Sequence, residues 1–134
     1  MYLTVLSNEE KEIFLNIAYA VASADGNYSD MEKAIIAEYC REMQMECEEI
    51  SLSKFDETLL ERINIISSET VKKIIIFEII GLTMIDKNYD VKEKELVKKM
   101  VDIFGIDIGY SENCEEVIRE YISLQLKINQ LVME

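Results

Sequence analysis

The 134-residue sequence has no proline, no histidine, only four glycines and three cysteines. Each shortage excludes something. Without proline and with few glycines, little interrupts a helix beyond a handful of turns. Strand-like alternation is hard to find, so an all-α chain is expected. Without histidine the commonest general base is missing, and a structural zinc site would have to be unusual. Cys40, Cys47 and Cys114 are an odd set with no C-x-x-C spacing, and no secretory signal is read. A disulfide scaffold is therefore not expected; reduced, mostly buried thiols in a cytoplasmic protein are.

Positive charge is scarce as well. Lys and Arg number 14 against 27 Asp and Glu, a formal net charge of −13. Residues 1–67 hold 5 basic and 14 acidic side chains, and residues 68–134 hold 9 and 13. A phosphate backbone needs a basic face, so nucleic acid is excluded as a partner. An acidic surface suits solubility, cations or a basic partner. Long apolar runs are also wanting. The one candidate, IIIFEIIGLTMI at 74–85, is too short to span a bilayer, contains Glu78, and is closely flanked by Lys72, Lys73, Asp86 and Lys87. It predicts a central helix buried nearly all round, in a chain that does not span a membrane.

What is present is a regular series of helix starts. SNEE at 7–10 and SDME at 29–32 are capping boxes, and DVKE at 90–93 is a third with Asp as the cap. The spacing predicts helices over about 8–25, 30–43, 54–65, 69–86, 90–104 and 112–132, with Gly26 and Gly105 as stops. Val117, Tyr121, Leu124, Ile128 and Leu131 alternate four and three apart in the last of these. Two heptads are too few for a coiled coil by themselves, so this face is expected to pack on the bundle, with a homodimer through it as the other use.

The chain repeats itself. ADGNYSDMEK at 24–33 returns as IDKNYDVKEK at 85–94, an offset of 61. Asp25 falls on Asp86, Asn27 on Asn88, Tyr28 on Tyr89, Glu32 on Glu93 and Lys33 on Lys94. Apolar positions follow, Ile35 on Leu96, Ile36 on Val97 and Tyr39 on Met100. Two copies fall short of a solenoid. The expectation is a single domain over 1–134, with an internal repeat about 8–45 and 69–106. It is an all-α, single-domain helical bundle built from two pseudo-symmetric helix-turn-helix hairpins plus a bridging and a C-terminal helix.

Capping explains Glu32 and Glu93, turn formation explains Asn27 and Asn88, and Tyr28 and Tyr89 are placed to staple the next helix. Asp25 and Asp86 are left over. Each sits near the C-terminal end of an apolar helix, where the helix dipole disfavours an acid. The same unfavourable choice made twice points to a shared role. Asp25 with Glu32, and Asp86 with Glu93, offer hard oxygen ligands for a divalent cation, Ca²⁺, Mg²⁺ or Mn²⁺. Neither loop is an EF-hand. Asp30 and Val91 stand where the turn glycine belongs, and Ile36 and Val97 stand at the bidentate Glu position.

An apolar helix, then ADG, then a Glu seven residues after the Asp, repeated in a second hairpin, resembles the TerB-like family of tellurite-resistance proteins over about residues 8–132. The resemblance implies an all-helical fold of two similar halves, a part in tellurite or metal stress, and metal chelation by Asp25, Glu32, Asp86 and Glu93. The second half reads Ile85-Asp86-Lys87 in place of Ala-Asp-Gly, and Lys87 weakens cation binding there. With no histidine and no serine or cysteine paired to a base, no enzyme is expected. The alternative is an acidic helical interaction module without a metal site, docking a protein partner through its acidic face or last helix.

Overall fold

A computed structural model describes residues 2–24, 29–46, 56–85 and 91–133. Among them the chain is helical and contains no strand. A short 3-10 turn, Leu3–Val5, precedes α1 (Asn8–Ala22), α2 (Asp30–Met43), α3 (Glu57–Ile66), α4 (Glu69–Met84), α5 (Val91–Phe104) and α6 (Ile108–Met133).

The helix starts follow from local side-chain chemistry. Ser7 Oγ accepts from the Glu10 amide at 3.2 Å, and Glu10 Oε1 accepts from the Ser7 amide at 2.8 Å. Ser29 and Glu32 do the same for α2, at 3.1 and 3.0 Å. Each box satisfies amides that the first turn leaves without intrahelical partners. Ser68 caps α4 through the Val71 amide. Asp56 caps α3 through the Thr58 amide at 2.8 Å, so that helix begins at Glu57 rather than near 54.

The stops are local too. Gln44 and Gly105 both take the left-handed conformation, at φ 56° and 68°. The amides one residue on, of Met45 and Ile106, bond back to the carbonyls of Cys40 and Val101 at 2.9 and 3.2 Å. These two ends are 61 residues apart, as are the caps Ser7 and Ser68 and the bounds of α2 and α5. Each of these spacings equals the 61-residue offset between the two similar stretches of sequence.

Burial makes α4 the centre. Ile75, Ile76, Ile79, Ile80 and Leu82 are fully enclosed, and Glu78 and Thr83 are buried beside them. Helices α1, α5 and α6 all pack on α4, while α2 lies on α1 and on the N-terminal turn, and α3 on α5. Phe14 meets Tyr39 edge to face, centroids 5.1 Å apart. The Tyr39 hydroxyl donates to the Glu78 carbonyl at 2.9 Å. Among the described residues no helix is long and apolar enough to cross a membrane.

Helix α6 departs from expectation twice. It starts at Ile108, not near 112, because Asp107 caps it, Oδ1 accepting from the Gly109 amide and its carbonyl from the Tyr110 amide. Gly109 in the first turn disguises that start in the sequence. And the face carrying Val117, Tyr121, Leu124, Ile128 and Leu131 does not pack on the bundle: all five are exposed. The buried positions are Ser111, Cys114 and Ile118, which lie to one side of the stripe, roughly 60° to 120° around the helix from its centre.

Candidate functional site

The four carboxylates expected to hold a cation are only half within view. Asp25 and Asp86 lie outside the described residues, as do the staple tyrosines Tyr28 and Tyr89 and the cap Asp90. Glu32 occupies the capping-box position, 1% exposed; Glu93 is 2% exposed in the first turn of α5. Among the described residues no group of three or more Cys, Asp or Glu is placed to hold a metal ion.

The cysteines correct an expectation. Cys40 is disulfide-bonded rather than a reduced thiol, and Cys47 lies outside the described residues. Disulfides persist mainly in oxidising compartments, which removes the cysteine-based ground for expecting a cytoplasmic setting. Cys114 is free and buried. Burial pushes its thiol up from the usual range, against a smaller downward pull from the Tyr110 hydroxyl. The thiol is protonated at neutral pH and is a poor nucleophile.

The largest unexplained feature is the outer half of α6. This helix has 26 residues, against 14 to 16 in α1, α2, α4 and α5. Its inner half rests on α4 near Gly81, where Ile118 Cδ1 lies 3.9 Å from the position a Cβ would take. Ile122 is the last residue packed against the core. Beyond it the helix continues for about three turns, roughly 16 Å, away from the bundle. Val117 is 53% exposed, Leu124 56% and Leu131 83%, with Tyr121 and Ile128 about half exposed between them. At 100° per residue these five fall in a stripe roughly 80° wide, the width of a coiled-coil seam. The spacing was legible in the sequence. The signal for its exposure was the length of the helix, which overruns every neighbour it packs against.

Near the start of α6, Tyr2, Thr70, Lys73, Ile74, Phe77 and Tyr110 line a shallow cleft of about 300 Å³. The Tyr110 hydroxyl donates to the Lys73 carbonyl at 2.8 Å, and Lys73 Nζ stands 5.5 Å from the Tyr110 ring centre. Tyr110 shares the heptad register of the stripe, seven residues before Val117.

No family model, curated protein or solved structure matches this chain.

Proposed function

We propose that the chain is a non-enzymatic helical interaction module that docks a partner through the outer half of α6. The observation that carries this reading is the exposure of Val117, Tyr121, Leu124, Ile128 and Leu131 along one face. Burying a side chain of this kind is worth roughly 1.5–3 kcal/mol. Five left in water on a single stripe forgo a gain that an apolar helix face would recover. The protonated Cys114 and the lack of histidine argue against nucleophilic chemistry. The test is the pair Leu124→Glu and Leu131→Glu, melted at about 1 µM so that copies stay apart. A docking surface predicts a melting temperature within about 2 °C of wild type. A fall beyond about 5 °C would mean that the stripe packs on its own bundle, and would contradict the reading.

A second reading keeps the TerB-like assignment, with the two hairpins related by a pseudo-twofold and a divalent cation held by Asp25, Glu32, Asp86 and Glu93. What favours it is the depth of Glu32 and Glu93, at matched positions in the first turns of α2 and α5 and more enclosed than Glu10 in the first turn of α1. Calorimetric titration with Ca²⁺, Mg²⁺ and Mn²⁺ tests it. Saturable binding lost in Asp25→Ala/Asp86→Ala is expected; no heat at millimolar cation would sink it.

A further inference from the structure

We propose that the stripe on α6 takes a second copy of this chain, with the two α6 helices antiparallel. This rests on the docking reading above and names its partner. In heptad terms Tyr121 and Ile128 fall at a, and Val117, Leu124 and Leu131 at d. Glu120 and Lys127 then fall at g, and Gln125 and Val132 at e. A parallel pair would set g against e, placing Glu120 opposite the partner's Gln125 and Lys127 opposite the partner's Val132. Neither is a charge pair. An antiparallel pair sets g against g, so Glu120 meets the partner's Lys127, and symmetry makes the contact twice. The same twofold, passing between Ile122 and Ser123, puts Tyr121 on the partner's Leu124 and Val117 on the partner's Ile128. For these four residues apolar layers and charge pairs agree on one register, while Leu131 passes over the partner's Cys114, which is buried.

Charge also selects the partner. From Val117 to Met133 the only charged residues are Arg119, Glu120 and Lys127, whereas the whole chain carries −13. Two copies meeting along this arm bring few like charges together. It lacks the Lys/Arg cluster that an anionic membrane would select, and the acidic run that a basic partner would. The register has a further consequence at the tip. Met133 falls opposite the partner's Glu112, so the apolar end Leu131–Met133 arrives beside the partner's Tyr110 and its cleft with Ile74 and Phe77. Two heptads alone make a short interface. Seating each tip in a cleft extends it toward the roughly 1,000 Å² that a lasting interface needs.

Sedimentation velocity of the whole chain at about 100 µM is the test. The expected result is a species of twice 15.6 kDa that dissociates on dilution. Glu120→Lys alone and Lys127→Glu alone should each weaken association about tenfold, and the double swap Glu120→Lys/Lys127→Glu should restore it. Restoration requires g to face g, so a double swap as weak as the singles overturns the antiparallel arrangement. A wild-type monomer at this concentration overturns the second copy as occupant, whether a different protein or a lipid surface takes the stripe. That failure is distinct from failure of the docking reading, which the melting temperature of the Leu124→Glu/Leu131→Glu variant decides.

Discussion

Glu10 does two things with one carboxylate. Its Oε1 closes the capping box on the Ser7 amide at 2.8 Å, and its Oε2 accepts from the Ser67 hydroxyl at 2.6 Å, 57 residues away. The cap of α1 is thereby tied to the junction between α3 and α4. Glu10→Ala removes both bonds and leaves a half-buried amide and hydroxyl to find water, so a loss of about 1–3 kcal/mol is expected. Ser67→Ala removes one of the two and should cost less, about 1 kcal/mol. Urea unfolding of both variants checks the order. Its neighbour Glu9 is bound by Arg62 at 2.7 and 3.1 Å on the surface. The hydrogen bond from Arg62, with its charge, holds the Glu9 carboxyl below the usual range. A lowered folded value means that the contribution is present above the unfolded carboxylate range and is lost as pH falls through the folded one. Arg62→Gln should return the Glu9 titration, followed by NMR, to the ordinary range; an unchanged midpoint would contradict the ion pair. At the cysteines, thiol counting in denaturant should find fewer than three groups before reduction and three after. Three before reduction would contradict the disulfide at Cys40.

At the scale of the element, much of the molecule was legible because its signals are short-range. Ser7, Ser29, Ser68 and Gly105 announce helix ends through bonds spanning three to five residues, and those ends stand where the sequence puts them. The buried run of α4 was legible because apolar residues on all sides of a helix leave no face for water. Ile79→Ala should therefore cost about 2–5 kcal/mol, measured by chemical denaturation, while Leu124→Ala, on the exposed stripe of α6, should cost less than about 0.5 kcal/mol. What was not legible depends on relations between elements. A stripe spaced four and three has the same sequence whether it meets the chain's own core or a different molecule. Only the length of α6 relative to its neighbours separates the two. The start of α6 was missed for a local reason, the glycine in its first turn. The candidate cation site was legible as a set of residue types, yet its two aspartates lie outside the described residues.

At the scale of the whole molecule, a bundle centred on α4 carries one helix that runs past it. The inner half of α6 is fixed by Cys114 and Ile118 against the core, and the outer half is held by bonds within the helix itself. A free helical segment of about three turns is marginal in water. The arm should consequently fray when solitary and become firm when its stripe is covered. This makes protection of the arm a direct report on docking, separate from the stability of the bundle. The decisive measurement is amide hydrogen exchange of residues 120–133 across a concentration series, with α4 as the internal reference. Docking between copies predicts fast exchange in the arm at the lowest concentration, slowing as concentration rises, while α4 stays protected throughout. Protection of the arm that does not change with concentration would contradict it.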